Sequence, residues 1–435
     1  MEDKGEALER ARELVEEARI ERRLTRRLEL VLKIEDFGDP THDPDLAELF
    51  AEGLHLVALA EDGNPELRLA LAGRLGALRD AHGTLTIAAL EARVLAAATS
   101  GMDDPASCLE VARRIDLIGA RYRCEPLALA ESIACFNAAA IATDGALVGG
   151  IVARLQKLLA AYPHELIARH LIGALVCASA LTDSASEAWQ IEAMALQLAA
   201  DWPTRSFTEE HAKVLANAID AELEPARRQR GMRQLRDMLA RHASEAIALV
   251  LAHALYQVHG VEGSAAECRY AADEITELNE TYRSAGIALA AAQVLRNGTA
   301  ESTDPEARRA FGAELEALAD DYPEPAVAAQ VVHGLSNEFL ALDDPVQRLD
   351  LLERMCALLR RFPDDESAER ASLALALEQQ TDLDLGRQRR RELLAHGLVA
   401  ARPSLLEPLR RAVEAVVGRT HDGDAIERVE ALLRP

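Results

Sequence analysis

Apolar residues recur along this chain at helical spacing, and the arrangement returns with a forty-residue period. The segments "LAAYPHELIARHLIGAL" (159–175) and "ADDYPEPAVAAQVVHGL" (319–335) share one order: an apolar helix end, a Tyr-Pro corner and a second apolar helix. Steps of one period from Tyr322 land on His42, His82, Tyr122, Tyr162, Trp202, His242, Tyr282, Tyr322, Phe362 and Arg402, a ring at every position but the last. Proline follows at Pro163, Pro203, Pro323, Pro363 and Pro403. Six residues after the ring stand Ala88, Ala128, Ala168, Ala248, Ala288, Ala328 and Ala368. Thirteen after it stand Leu95, Leu175, Leu215, Leu255, Leu295, Leu335 and Leu375. Residues seven apart share a helix face, so these two columns predict a helix with a small-residue contact and a leucine layer on one side.

A second helix is predicted from a mid-unit column, halfway between one ring and the next: Asn64, Asp104, Asp144, Ser184, Glu224, Ser264, Asp304, Asp344, Asp384 and Asp424. All but Glu224 are residues whose short side chains accept hydrogen bonds from the free N–H groups of a helix start. Proline follows at Pro65, Pro105, Pro225, Pro305 and Pro345, a first-turn position where its missing N–H costs nothing. The apolar column of this second helix is Leu78, Ile118, Leu158, Leu198, Met238, Leu278, Leu318, Leu358 and Leu398. The ring-Pro corner is expected to pack its aromatic between neighbours and to begin the next helix.

A single helical hairpin cannot bury its apolar face, so identical hairpins stack until the core is continuous. The expected fold is all-α, a right-handed α-solenoid of about eleven antiparallel hairpins. Its expected organisation is a capping hairpin at 1–41, nine 40-residue repeats over 42–401 and a C-terminal capping hairpin at 402–435. The segment 4–36 is helical by pattern but charged around much of its circumference, as suits a terminal layer.

The joint "LQKLLAAYPHELIARHLIGAL" (155–175) resembles tetratricopeptide-repeat proteins, in which a Leu/Ala helix end runs through a proline corner into the next helix. HEAT-like repeats, whose units are closer in length to these, are the competing resemblance. Either implies a scaffold that binds partners along a groove.

Composition narrows the chemistry. No apolar run approaches the roughly 18 to 20 residues of a membrane span, and the N-terminus is charged from its second residue, so a cytoplasmic protein with no membrane partner is expected. The six cysteines form no C-x-x-C pair and no zinc-ligand spacing, consistent with buried thiols in a reducing compartment. No phosphate-binding glycine loop, nucleophile elbow or H-x-x-x-H is present, and neither cofactor nor metal is expected. The doublets Asp103-Asp104, Asp343-Asp344 and Asp364-Asp365 fall on the capping column or the corner, which explains them without metal.

A net charge of −25 opposes binding to nucleic acid. Two arginine clusters, Arg227–Arg236 and Arg387–Glu392, read either as solvated outer faces or as anion-binding patches. Lysine is confined to Lys4, Lys33, Lys157 and Lys213. That balance suits a salt-adapted cytoplasm, although a GC-rich genome also explains the arginine bias.

Two polar columns stand out on the first helix of each unit. Fifteen residues after the ring come Asn137, Asn217, Gln257, Asn297 and Asn337. Eleven after it come Arg93, Lys213, His253, Gln293 and His333. Positions i and i+4 share a face, so the columns make one polar ridge across successive hairpins. An amide offers both a donor and an acceptor and could read the backbone of an extended peptide, with Lys213, His253 and His333 favouring an acidic one. Equally, the amides could bridge neighbouring helices or satisfy free carbonyls at helix ends.

The function expected is a non-catalytic scaffold or adaptor that binds a protein or peptide along a concave face. The alternatives are a nucleic-acid- or anion-binding solenoid that uses the arginine clusters, and an all-helical toroid enzyme. Repulsion among the excess carboxylates is relieved by screening in the compact state more than in the expanded chain. The melting temperature is therefore expected to rise as KCl is increased from dilute buffer to molar levels. A flat or falling curve would remove the salt-adapted reading.

Overall fold

The computed structural model describes residues 4–342, apart from 61, 62 and 262, together with 351 and 354. Phe362, Arg402, the columns beyond 342, the doublets Asp343-Asp344 and Asp364-Asp365, the cluster Arg387–Glu392 and the 402–435 hairpin lie outside the described residues. Within them the fold is all-α, with no strand.

The chain opens with α1 (Lys4–Ile20), α2 (Leu24–Leu32) and a 3-10 turn (Lys33–Phe37), so the predicted helical segment 4–36 is broken at 21–23. Helices then alternate between two classes. The first-row helices are α3 (Pro44–Ala60), α5 (Leu85–Ala98), α7 (Glu125–Ile141), α9 (Glu165–Ala180), α11 (Arg205–Asp220), α13 (Glu245–Leu255), α15 (Ala285–Glu301) and α17 (Pro325–Ala341). The second-row helices are α4 (Pro65–His82), α6 (Pro105–Tyr122), α8 (Gly145–Ala161), α10 (Ala185–Asp201), α12 (Pro225–His242), α14 (Ala265–Tyr282) and α16 (Pro305–Asp321). Second-row helices keep the sequence period without exception in their starting positions, from Pro65 to Pro305, and first-row helices do so from Leu85 of α5 onward.

The capping column accounts for those starts. Asn64 Oδ1 accepts from Leu67 N, Asp104 from Ala106 and Ser107, Asp144 from Ala146, and Asp304 from Glu306. Ser184 accepts from Glu187 N, and Ser264 forms a reciprocal capping box with Glu267. Pro65, Pro105, Pro225 and Pro305 are the first residues of their helices.

The chain divides into two compact units at Pro225–Ala226. In the first, α3, α5, α7, α9 and α11 pack side by side, and α4, α6, α8 and α10 each lie against the first-row helices before and after them. In the second, α13, α15 and α17 pack side by side, with α14 and α16 placed in the same way. The alanine column allows this approach: Ala88, Ala168, Ala248 and Ala288 are fully buried, and Ala128 and Ala328 nearly so. Leu95, Leu175, Leu215, Leu255, Leu295 and Leu335 fill the layer above them. Second-row helices reach one another through long side chains instead: Arg269 Nη1 lies 2.6 Å from Glu314, and Gln156 Nε2 lies 3.1 Å from Met194 sulfur.

The ring column marks the corner between units in two forms, and the following residue selects between them. Where proline follows, the ring residue leaves the helix. Tyr162, Trp202 and Tyr322 are C-caps with φ/ψ of −134/84°, −123/73° and −125/82°, each donating its N–H to the carbonyl four residues back. Proline disfavours the α conformation in the residue before it, which accounts for this early exit. Where proline is absent, the helix runs one residue further, through His82, Tyr122, His242 or Tyr282. The next residue then turns left-handed: Gly83 (φ 66°), Arg123 (37°), Ala243 (44°) and Arg283 (49°).

Two expectations for the corner need correction. The proline does not begin the next helix: α9, α11 and α17 start two residues beyond Pro163, Pro203 and Pro323, after His164, Thr204 and Glu324. Nor is the ring uniformly packed. Trp202 stacks on Phe207 with centroids 6.3 Å apart, and His82 Nε2 donates to the Pro40 carbonyl oxygen at 2.7 Å, whereas His42 and His242 are exposed.

A left-handed conformation costs a side-chain-bearing residue about 1–2 kcal/mol, part of which glycine returns through its larger unfolded-state entropy. Arg283→Gly is therefore expected to raise the unfolding free energy by about 0.5–1 kcal/mol in urea titration. Thr204→Gly, at φ −106°, is expected to give no gain.

Candidate functional site

The structure places the ridge residues on first-row helices. Arg93 lies on α5, Asn137 on α7, Lys213 and Asn217 on α11, His253 on α13, Gln293 and Asn297 on α15, and His333 and Asn337 on α17. Gln257 falls in a π-helical turn, Tyr256–Gly260, that ends the α13 segment. Arg93, His253 and Gln257 are exposed, and the others are half-buried. In the first unit α9 interrupts the ridge with Gly173 and Cys177. A Cβ at Gly173 would stand 2.6 Å from the Phe136 ring of α7, so packing against the preceding helix demands glycine there.

The asparagine nitrogens point into the stack. Asn137 Nδ2 donates to Thr99 Oγ1 at 2.8 Å, Asn217 to Ser179 Oγ at 2.8 Å, and Asn337 to Thr299 Oγ1 at 3.1 Å. In each case the acceptor lies 38 residues back, near the end of the preceding first-row helix. Each hydroxyl passes its own proton to a carbonyl three residues before it: Thr99 to Ala96, Ser179 to Val176 and Thr299 to Arg296. Amide, hydroxyl and carbonyl thus form a relay that ties one repeat to the next.

Asn297 shows the rule by departing from it. The equivalent position in the preceding repeat is His259, which has no hydroxyl, and Asn297 Nδ2 donates instead to the Gly260 carbonyl oxygen at 2.6 Å, inside the π turn. Its own Oδ1 accepts from Arg296 at 2.7 and 3.0 Å. The amides accordingly commit their donors to the scaffold, which removes half of the two-way peptide reading expected of them. The carbonyl oxygens of Asn137, Asn217 and Asn337 accept no hydrogen bond from the described residues.

The neighbouring charges are also modified by their surroundings. Lys213 Nζ is paired with Glu210 at 2.8 Å. Partial burial of the ring holds His253 below the ordinary imidazole range, and burial together with the positive charge of Arg93 does the same to His55 on α3. The lowered pKa weakens the positive charge that His253 offers an acidic ligand near neutral pH.

A further column consists of buried carboxylates on first-row helices. Glu91 is fully buried and held by Arg79 Nη1 at 2.7 Å and Arg114 Nη2 at 3.0 Å. One period on, Glu131 is held by Arg154 Nε at 2.6 Å, and Arg154 Nη2 also donates to the Ala112 carbonyl oxygen at 3.0 Å. Burial pushes both carboxyls above their usual range, against the pull of the arginines. Each arginine of the pairs Glu91/Arg114 and Glu131/Arg154 follows its acid by 23 residues, a spacing present in the sequence itself. Such ions are bridges between rows, costly to strand alone.

His170 Nδ1 lies 2.9 Å from Ser132 Oγ, but burial lowers its pKa to about 4 and Ser132 is fully buried with its hydroxyl donated to the Leu129 carbonyl, so the pair serves packing. Among the described residues no group of three or more His, Cys, Asp and Glu side chains is arranged to hold a metal ion. No described helix is long and apolar enough to cross a membrane. Of the Arg227–Arg236 cluster on α12, Arg227, Arg230 and Arg233 are exposed, while Arg236 is half-buried against Glu274.

No protein-family model matches the chain, and no curated protein is significantly similar to it.

If the relay is structural, Asn297→Ala combined with Asn337→Ala is expected to lower the unfolding free energy by about 2 kcal/mol, roughly one per hydrogen bond. Thr299→Val and Asn337→Ala are expected to be less than additive, because each removes the same bond. Strict additivity in denaturant titration would show that the relay contributes nothing.

Proposed function

We propose that this protein is a right-handed α-solenoid of about eleven tetratricopeptide-like hairpins that acts as a non-catalytic cytoplasmic scaffold, binding a protein or peptide segment along a concave first-row face. The observation that carries this reading is the side-by-side packing of first-row helices within each unit, which sets α15, with Gln293, between α13, with His253, and α17, with His333. The ligand-facing groups in this reading are Arg93, Lys213, His253, Gln293 and His333, with the carbonyl oxygens of Asn137, Asn217 and Asn337 accepting peptide N–H groups. Only the acceptor half of each asparagine amide serves the ligand. The role is therefore to register a strand at repeat intervals, and side-chain preference comes from the position-11 column. The high negative charge fits a salt-rich cytoplasm, where it maintains solubility.

A second reading has one observation in its favour: Arg227, Arg230 and Arg233 are exposed on α12, a face that would suit an anion or nucleic acid.

Affinity capture from native extract, with cross-linking and mass spectrometry, tests both. Arg93→Glu with Lys213→Glu is expected to lose the captured partner while the melting temperature stays within about 2 °C, a shift below roughly 1 kcal/mol. Unchanged capture by this variant would overturn the first-row face. Capture abolished by nuclease treatment, or by Arg230→Glu with Arg233→Glu alone, would favour the second reading.

A further inference from the structure

The described surface holds a cleft of about 460 Å³ between the C-terminal halves of α12 and α14, lined among others by Leu239, Leu251, Leu278 and Tyr282. Leu251, from α13, is almost wholly buried, whereas Leu239, Leu278 and Tyr282 are half-buried, so the cleft has apolar walls in contact with water. Two acids stand in it. Glu274 is neutralised by Arg236, whose Nε and Nη2 lie 2.6 and 2.7 Å from its two oxygens. Tyr270 completes that cluster, its hydroxyl accepting from Arg236 at 2.9 Å. Glu277 lines the same cleft, is exposed, and has no cationic partner among the described residues.

An apolar trough with one uncompensated carboxylate matches a side chain that is itself apolar along its stem and cationic at its tip. Lysine and arginine have that form, since their methylenes cover apolar surface while the charged head stays at the water boundary. Tyr282 adds a ring over which a cation is attracted. The net charge of −25 works in the same direction, opposed locally by the arginines of α12 that stand outside the cleft lining. A negatively charged occupant would meet Glu277 and that net charge together.

We propose that this cleft is a docking site for a basic, amphipathic segment of a partner protein, with a lysine or arginine side chain lying along Leu239 and Leu278 and its cation at Glu277. The site is on the second row, distinct from the first-row face, and it deepens the scaffold reading, on which it rests, by assigning a charge class to a partner.

The probe is a fluorescein-labelled hexapeptide of alternating leucine and arginine, compared with leucine–glutamine and leucine–glutamate counterparts by fluorescence anisotropy at moderate KCl. Glu277→Arg is expected to weaken the leucine–arginine peptide at least tenfold. Ala240→Trp, which fills the cleft without changing charge, is expected to do the same. Glu280→Arg, an equal charge change on the same helix but outside the cleft lining, is expected to stay within threefold of the parent protein. Thermal melts of all three variants establish that they are folded. A Glu280→Arg loss equal to that of Glu277→Arg would assign binding to diffuse charge and overturn the cleft. So would an Ala240→Trp variant that binds normally, a leucine–glutamine peptide that binds as tightly, or no peptide binding at all. Each of these outcomes leaves the first-row scaffold reading to its own capture experiment.

Discussion

The fold depends on how closely one first-row helix can approach the next. That distance is set in six of the described repeats by alanine six residues after the ring, where the side chain is a single methyl group; Thr208 takes the place on α11 and Glu48 on α3. With the backbones this close, the leucines seven residues on meet in a continuous layer, and burying each is worth about 1.5–3 kcal/mol. No single hairpin could collect that stabilisation, since half of each interface belongs to its neighbour. Second-row helices face no such constraint and contact one another by arginine, glutamate and glutamine side chains long enough to bridge a wider gap.

Close packing creates a problem of polar groups, and the same repeat solves it. The last turn of each first-row helix is near the next helix and partly shielded from water. Thr99, Ser179 and Thr299 each give a proton to a carbonyl of that turn and receive one from an asparagine in the following repeat. A hydroxyl suits the place because it donates and accepts at once. Where His259 replaces it, the backbone opens into a π turn and a bare carbonyl takes the asparagine's proton. The buried acids Glu91 and Glu131 follow the same logic between rows, each bound to an arginine at one repeated spacing. These polar ties specify register between repeats, which alanine and leucine alone, being interchangeable by sliding, would not.

Function, in this reading, occupies what the scaffold leaves over. The asparagine donors are used inside, so a ligand meets their acceptors and the side chains at position 11. On the second row, the Arg236–Glu274 pair closes on itself, leaving Glu277 as the carboxylate open to a partner in that cleft.

Much of this was legible in the sequence because local rules operate within one turn of helix. The repeat period, the second-row helix starts with their capping residues, and the buried alanine and leucine columns all depend on neighbours a few positions away, whereas the first-row starts of α9, α11 and α17 fall two residues beyond the corner proline. Proline alone decides whether Tyr162 leaves its helix while Tyr122 stays in, and that too can be read from a dipeptide. What the tertiary structure decided was the direction of side chains able to bond either way. Asn337 has the same sequence signature as a ligand-reading amide or as a tie between helices, and only the presence of Thr299 across the interface, 38 residues earlier in the chain, turns its nitrogen inward. His253 is an exposed titratable group by its helix position, and the partial burial of its ring in the packed structure lowers its pKa. In both cases the deciding partner or solvent shell is supplied by chain segments brought together by packing, and periodicity within one helix carries no trace of it.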